Sequence, residues 1–288
     1  MPRGRTSRSV NPRGGRPPRP GSATQSRRPR GNAPVQAGGL GGDQVEGRQA
    51  VRELLLSRGR AIDAVYVAAD RDPVAIITEI MDLAEDRGVL HTVSSYEIES
   101  MARSDVPQGV IARAEPLRVF DLDELTKPVD GRPPFLVVFD GITDPHNMGA
   151  VLRSAVSAGA TGAVLARHRS VHVTPVVAKA AAGAIEYLPF ALVAGIPAAL
   201  AELKNAGVWT VGLDAEGDRL VDELPVATEP IALVFGAEGR GLSSLTRNRC
   251  DLLARIDLVG PLESLNVSAA AAVSCFAVAR QRSQSPGQ

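Results

Sequence analysis

The sequence is poor in aromatic residues and cysteine, and it has no apolar run long enough to span a membrane. Phenylalanine, tyrosine and tryptophan make up 3% of the 288 residues, so aliphatic side chains and alanine must fill the core. The two cysteines, Cys250 and Cys275, do not make a disulfide framework, which favours a cytoplasmic protein. A spanning helix needs about 18 or more uncharged apolar residues, and a secretory signal needs an apolar N-terminal segment. Both are absent, so we expect neither a membrane protein nor a disulfide-rich secreted one.

The formal net charge is zero, but the charges are unevenly distributed. Residues 1–43 contain nine arginines and a single acid, Asp43, among many prolines, glycines and serines. Such a segment buries too little apolar surface to offset the entropy of ordering it, so we expect a disordered tail. Arginine-rich disordered segments commonly fold on RNA, which makes this one a candidate RNA-tethering arm. A solubilising tail or an incorrect start site is the alternative.

Strands and helices alternate along the rest of the chain, which predicts an α/β fold. The first series, residues 44–115, opens with a predicted helix over 44–58 and reads as a small α/β domain. Residues 116–133 have acids, prolines and no clear period, and are predicted to be a linker. Residues 134–282 form a second series whose apolar strands predict a parallel sheet covered on both faces by helices. Residues 283–288 are predicted to be a short tail.

The segment DPHNMGAVLRS, residues 144–154, has the polar side chains expected of a binding site. The strand before it ends at Gly141 and the next helix is predicted to begin near Gly149, which places Asn147 in the preceding loop. Arg153 is expected one turn into the helix, projecting toward the same end. Asparagine offers both a donor and an acceptor, and arginine offers a fixed array of five donors. A helix-capping asparagine and a surface arginine are the alternative interpretation.

Two later segments also follow predicted strands. Residues 236–241 read GAEGRG, which matches neither the dinucleotide-binding nor the phosphate-loop spacing. Their glycines permit close backbone approach to a ligand, and Glu238 is either a functional acid or a helix cap. In residues 261–274, Ser264 is a predicted N-cap and Asn266 lies in the predicted first turn. Ligands bind beyond the carboxyl ends of parallel strands, so we expect the three segments to form one composite site.

Together the three segments resemble the SpoU class of the SPOUT methyltransferases, which methylate ribose 2′-oxygens in RNA. The resemblance covers residues 45–282. It rests on N-x-G-A-x-x-R at 147–153, G-x-E-G-x-G at 236–241 and S-L-N-x-S at 264–268. Both the order and the spacing of these motifs match the class.

Within the class the chain is similar to bacterial 23S rRNA guanosine-2′-O-methyltransferases. GITDPHNMGAVLRSA at 141–155 and EGRQAVRELL at 46–55 carry that similarity. One departure lies at 256–258, where Ile-Asp-Leu stands in place of the usual Ile-Pro-Met. The added carboxylate, Asp257, stands beside the expected cofactor pocket.

The resemblance implies a specific fold, reaction and set of partners. It implies a trefoil-knotted catalytic domain at 134–282, a homodimer formed through that domain, and an RNA-binding domain at 44–115. It implies methyl transfer from S-adenosylmethionine to a ribose 2′-hydroxyl of rRNA, specifically a guanosine of 23S rRNA or of its large-subunit precursor. The open alternatives are another rRNA or tRNA nucleotide, including one whose methylation confers antibiotic resistance, and a catalytically silent RNA-binding assembly factor.

The resemblance also implies roles for individual residues. An arginine guanidinium resists deprotonation near neutral pH, so Arg153 is expected to stabilise the developing alkoxide, with Glu238 a rival general base. Cofactor contacts in the class come mainly from main-chain groups. The implied catalytic residues are Arg153, Asn147, Glu238, Ser264 and Asn266, and the implied cofactor-binding residues are Gly236, Ile256, Leu265 and Leu213.

Four arginines of the front domain are candidates for RNA phosphate contacts, with a solvated helix face as the alternative. Three histidines show no metal-ligand spacing, so no metal is expected. The arginines are Arg48, Arg52, Arg58 and Arg60, and the histidines are His146, His168 and His172.

Overall fold

Two β-sheets, one small and mixed and one large and parallel, organise the chain. The computed structural model describes residues 39–70, 74–167, 172–261 and 264–284. The prediction of a disordered tail falls mostly on residues 1–38, which lie outside the described residues, as do His168 and residues 285–288. None of the described helices is both long and apolar enough to cross a membrane.

The small sheet has four strands in the order β1-β4-β2-β3. Strand β4 pairs antiparallel with β1 and β2, and β3 pairs parallel with β2. Its elements in chain order are β1 (Gln44–Glu46), α1 (Arg48–Ser57), β2 (Ile62–Ala68), α2 (Ala75–Glu85), β3 (Leu90–Val93), α3 (Ser95–Met101) and β4 (Val110–Ala114).

The first predicted helix is partly wrong, because residues 44–46 are a strand. Gly47 has φ of 93°, a left-handed value that glycine adopts readily, and it separates β1 from α1. From Arg48 the helix buries Val51, Leu54 and Leu55, the face that the apolar spacing predicts.

The large sheet has eight strands, all parallel, in the order β10-β12-β9-β11-β6-β7-β8-β5. The predicted parallel sheet is therefore confirmed. Its strands are β5 (Val119–Phe120), β6 (Phe135–Asp140), β7 (Gly162–Ala166), β8 (Phe190–Val193), β9 (Trp209–Leu213), β10 (Arg219–Leu220), β11 (Ile231–Gly236) and β12 (Leu252–Arg255). The helices are α4 (Leu122–Leu125), α5 (Pro145–Ser157), α6 (Pro175–Ala180), α7 (Ile196–Asn205), α8 (Ser244–Arg249) and α9 (Val267–Gln284).

Central strands of the large sheet are buried on both faces. In β6 and β11, side chains from Phe135 to Phe139 and from Ile231 to Phe235 are at most 1% exposed. Burial on both faces explains why these strands read as continuous apolar runs without alternation. Helix α5 packs against both α6 and α9. Because α5 follows β6 directly, it starts at the carboxyl edge of the sheet.

Two boundaries differ from the sequence predictions. Residues 116–133, predicted as a linker, contain α4 and β5, and β5 forms an edge of the large sheet. Residues 39–43, predicted as part of the tail, pack on the protein: Leu40 is 1% exposed, and the Gly42 amide donates to the Val173 carbonyl at 2.8 Å. These short segments gain their order from long-range pairing, which leaves no local periodicity to detect.

Candidate functional site

Helix α5 begins at the carboxyl edge of the large sheet, directly after β6. Asp144 caps it by accepting hydrogen bonds from the His146 and Asn147 amides, both at 3.2 Å, and Pro145 occupies its first turn. Asn147 therefore lies in the first turn of the helix and not in the loop before it, which corrects the predicted start near Gly149. An aspartate followed by a proline is a strong helix-start signal, so this capping residue was detectable from the sequence.

The amides of Asn147 and Asn266 meet the carboxylate of Glu238. Strands β6 and β11 are adjacent and end level, with Asp140 opposite Gly236, so the residues that follow them converge. Asn147 Nδ2 donates to Glu238 Oε2 at 3.0 Å, and Asn266 Nδ2 donates to Asn147 Oδ1 at 3.1 Å and lies 3.4 Å from Glu238 Oε1. Three residues from three separate segments thus form one hydrogen-bonded group, which we call the amide–carboxylate cluster.

Asn266 is also the residue that caps α9, which corrects the prediction for Ser264. The helix begins at Val267, and Asn266 Oδ1 accepts hydrogen bonds from the Ser268 amide at 2.8 Å and the Ser268 hydroxyl at 2.6 Å. Ser264 is exposed, and its side chain makes no hydrogen bond to any described residue. Serine and asparagine are comparable N-caps, so the sequence alone did not separate the two positions.

Arg153 does not join the cluster within one chain. Because α5 starts at Pro145, Arg153 lies two turns into the helix, about 9 Å along the axis from Asn147 and on a different face. Its side chain is exposed and has no hydrogen-bond or ion-pair partner in the described part of the chain. The expectation that it projects toward the same end is therefore wrong for a single chain.

Three of the four residues implied to bind the cofactor converge at neighbouring strand ends. Leu213 ends β9 and lies opposite Ala254 of β12, two residues before Ile256, while Gly236 ends β11 on the other side of β9. Leu265 precedes α9 and is 39% exposed.

Gly239 and Gly241 face open space at this edge, where main-chain groups are accessible, and the site fits a cofactor held by main-chain groups. A Cβ at Gly236 would lie 2.1 Å from the Gly241 carbonyl carbon, so only glycine permits this close backbone approach. Gly239 and Gly241 have φ of 74° and 64°, and a Cβ on either would meet only open space. Asp257, the unusual residue of this region, is exposed and makes no hydrogen bond or ion pair with other described residues.

Charges next to these strand ends are paired. Desolvation raises the pKa of Asp214, but hydrogen bonds from Arg247 and the Glu216 amide outweigh it and the pKa is lowered. Arg247 Nε donates to Asp214 Oδ2 at 2.8 Å.

Burial raises the pKa of the Cys250 thiol to about 12, with the nearby Asp251 carboxylate adding to the effect. This thiol is therefore neutral at physiological pH and is a poor nucleophile.

Three of the four candidate RNA-binding arginines have side-chain partners within the protein. Arg60 forms a buried ion pair with Glu186 at 2.7 Å, and Arg52 pairs with Glu53 and Glu79. The prediction of a phosphate contact is therefore wrong for Arg60, whose side chain is 7% exposed. Arg48 donates to the Gln108 carbonyl at 3.1 Å, and Arg58 is exposed without a partner among the described residues.

The described histidines take different positions. His172 Nδ1 lies 3.0 Å from the Gly39 carbonyl oxygen, and His146 is exposed at the start of α5. Across the described ranges, no three histidine, cysteine, aspartate or glutamate side chains are grouped as a metal site.

Comparisons with known proteins match both parts of the chain. The family model described as the SpoU rRNA Methylase family matches residues 134–276, and that for RNA 2′-O ribose methyltransferase substrate binding matches residues 44–120.

Two curated relatives are named 23S rRNA (guanosine-2′-O-)-methyltransferase RlmB. The one from Ralstonia nicotianae is 41% identical over 244 residues, covering 84% of this chain and 97% of the relative. The one from Pseudomonas putida is 35% identical over 243 residues, covering 83% of this chain and 97% of the relative. Among solved structures, the SpoU methyltransferase AviRb from Streptomyces viridochromogenes in complex with AdoMet is similar with a TM-score of 0.68. It is 25% identical and covers 84% of this chain and 90% of that chain.

Proposed function

Because the chain belongs to the SpoU rRNA methylase family, we propose that it transfers a methyl group from S-adenosylmethionine to the 2′-hydroxyl of a guanosine in 23S rRNA. The observation that carries this proposal is the amide–carboxylate cluster beside the glycine-lined strand ends. The named activity of the relatives from Ralstonia nicotianae and Pseudomonas putida supports 23S rRNA as the substrate.

The cluster is suited to hold the hydroxyl that is methylated. When bound, S-adenosylmethionine supplies an electrophilic methyl group on a sulfonium centre. Glu238 accepts from two amide N–H groups, which fixes its carboxylate, and its remaining lone pairs can accept the hydrogen of the 2′-hydroxyl. Asn147 and Asn266 hold Glu238 in place and are the positioning residues of the reaction.

Arg153 is proposed to stabilise the negative charge that develops on the 2′-oxygen. A guanidinium beside the reacting oxygen lowers the barrier without itself losing a proton. Because Arg153 points away from the cluster of its own chain, we propose that it serves the cluster of a second copy in a homodimer.

An exposed apolar stripe on the helix beside α5 supports that dimer. Helix α9 packs beside α5 and exposes an apolar stripe that includes Val273, 41% exposed, and Phe276, 47% exposed. Exposed apolar residues at helical spacing are typical of helix–helix interfaces. A dimer through α5 and α9 covers this stripe.

The enzyme test uses labelled S-adenosylmethionine and 23S rRNA that lacks ribose methylation. The unaltered protein should incorporate label into one guanosine, whereas Arg153→Ala should lower turnover at least about a hundred-fold while still binding the cofactor. Arg249→Ala, an exposed helical arginine of α8, is the matched control and should remain active. Near-normal turnover by Arg153→Ala would contradict the assigned role.

Mixing two inactive variants tests the dimer. In a heterodimer of the Arg153→Ala and Glu238→Ala variants, the intact Glu238 belongs to one subunit and the intact Arg153 to the other. If Arg153 acts across the interface, one of the two sites then has both residues intact. Activity should then recover toward a quarter to a half of the normal rate, and no recovery would contradict the shared site.

Four further features are proposed on the same basis. The matched ranges 44–120 and 134–276 support separate substrate-binding and catalytic domains. The position of β12 between β9 and β10, which are consecutive in the chain, supports a trefoil knot. An rRNA substrate supports a cytoplasmic location and an RNA contact by the arginine-rich N-terminal residues.

A further inference from the structure

A groove of about 460 Å³ lies between α1 and the 104–108 loop on one side and α5 and α6 on the other. Its floor is lined by small and apolar residues, which include Ala50 on one side and Val176 and Ala180 on the other. Its rim is polar and includes Asp105, Gln108, His146 and Lys179. The volume lies at the small end of the range for ligand sites, roughly 300–1,000 Å³, and suits a single nucleotide.

The groove adjoins the amide–carboxylate cluster. His146 lines the groove, and the next residue, Asn147, donates to Glu238. Lys179 Nζ donates to the Val106 carbonyl at 2.5 Å and so connects the two walls. A nucleotide whose ribose lies at the cluster can therefore place its base in the groove.

Gln108 presents a fixed hydrogen-bond donor at the rim. Its Oε1 accepts from the Arg48 amide at 3.0 Å, and because a backbone N–H can only donate, the oxygen of the side-chain amide must face that group. The Nε2 group is then free, with no acceptor among the described residues. Gln108 has φ of 61°, a backbone conformation that is unfavourable for residues other than glycine. Arg48 stabilises this conformation by donating a hydrogen bond from Nε to the Gln108 carbonyl at 3.1 Å.

Asp105 presents a pair of acceptors on the same rim. Its carboxylate is exposed and makes no hydrogen bond or ion pair with any described residue. The rim therefore offers two adjacent acceptor oxygens from Asp105 and one donor from Gln108, three residues along the same loop.

We propose that this groove binds the guanine base of the target guanosine, with Asp105 and Gln108 as the residues that select it. Guanine presents the N2 amino group and N1–H as adjacent donors, followed by the O6 acceptor. The Asp105 carboxylate accepts from N1–H and N2–H, and Gln108 Nε2 donates to O6. Adenine instead presents an acceptor at N1, which would leave the carboxylate facing a lone pair and strongly disfavour binding. This inference rests on the proposed function and extends it to base selection.

The test compares two RNAs that differ by one amino group. In one the target nucleotide is guanosine, and in the other it is inosine, which lacks only the 2-amino group of guanine. The unaltered protein should methylate the guanosine RNA with a kcat/KM roughly ten-fold to a hundred-fold higher, the range for one hydrogen bond to a charged acceptor. In Asp105→Ala this ratio should fall to about one, mainly because the guanosine RNA loses its advantage.

Asp63→Ala is the matched control, since Asp63 is an exposed aspartate of β2 outside the groove lining. It should keep the normal guanosine-to-inosine ratio. If the unaltered protein does not distinguish the two RNAs, or if Asp105→Ala lowers both rates equally, the selection by Asp105 is overturned while the proposed function stands. If the unaltered protein methylates neither RNA nor intact 23S rRNA, the proposed function itself fails.

Discussion

Asn266 shows how one side chain can join folding to catalysis. Its Oδ1 accepts two hydrogen bonds from Ser268 and so caps α9, which leaves Nδ2 as the only group that can face Asn147 and Glu238. The start of α9 therefore sets the position of the cluster. Asparagine suits this position because its side-chain oxygen caps the helix while its NH₂ group donates to the cluster. No other residue type of similar size offers both an acceptor and a donor in this arrangement.

Substitution of Asn266 should separate the two roles. Asn266→Ala removes the cap and both donors, so we expect the free energy of unfolding to fall by about 1 kcal/mol and turnover to fall more than about ten-fold. Asn266→Ser keeps a capping oxygen but not the amide donors, so it should regain the stability and not the turnover. Urea unfolding and single-turnover methylation measure the two effects. Full activity in the serine variant would contradict the role of the Asn266 amide.

At the scale of the elements, helices α5 and α6 approach too closely for any residue other than glycine at position 149. A Cβ there would lie 2.5 Å from the Ala180 Cβ and 2.8 Å from the Val177 carbonyl oxygen. This contact fixes the start of α5, and with it Asn147, against the large sheet. In the sequence N-x-G at 147–149, the glycine is therefore required by helix packing, and the asparagine belongs to the amide–carboxylate cluster.

Gly149→Ala should destabilise the protein although alanine is the better helix former. We expect overpacking to cost about 3 kcal/mol, the upper end of the usual range, because a Cβ at 149 would lie 2.5 Å from the Ala180 Cβ. This cost exceeds the gain of about 1 kcal/mol in helix propensity. Thermal and urea unfolding measure it. Gly59→Ala is the control, because its Cβ would meet its nearest neighbour at an ordinary 3.8 Å. An unchanged or raised stability in Gly149→Ala would show that the two helices can move apart.

The elements that the sequence predicts correctly are those whose residues carry a local pattern. The runs that became β6 and β11 and the apolar face of α1 are visible because many consecutive residues share one environment. Strand β1 has three residues and β5 has two, which is too short for a period, and both depend on partners distant in the chain. The grouping of Asn147, Glu238 and Asn266 was predictable, because residues that follow parallel strands meet at one edge.

At the scale of the whole molecule, a buried ion pair connects the segment before β2 of the small sheet to the segment before β8 of the large sheet. Arg60 follows α1 and Glu186 lies in a short 3₁₀ helix, Ala184–Tyr187, between α6 and β8. Their side chains are 7% and 2% exposed and 2.7 Å apart, and Arg60 also donates to the carbonyls of Gly42 and Glu115. The two residues are 126 positions apart, so no local pattern could have shown that Arg60 has a partner inside the protein.

Removing one partner of this pair should cost far more than removing both. Arg60→Met leaves the Glu186 carboxylate buried without a counter-charge, so we expect a loss of roughly 3–5 kcal/mol in the free energy of unfolding. Arg60→Met combined with Glu186→Met should recover much of it, though not the bonds to the two carbonyls. Lys127→Met is the control, because its pair with Asp123 is 65% and 74% exposed and should contribute little. A cost for Arg60→Met no larger than that of the control would show that the pair is dispensable. The proposed guanine-binding groove lies between α1 and the 104–108 loop on one side and α5 and α6 on the other. Because the ion pair holds these two sides together, the single variant should also lower the guanosine-to-inosine ratio, and the double variant should restore it.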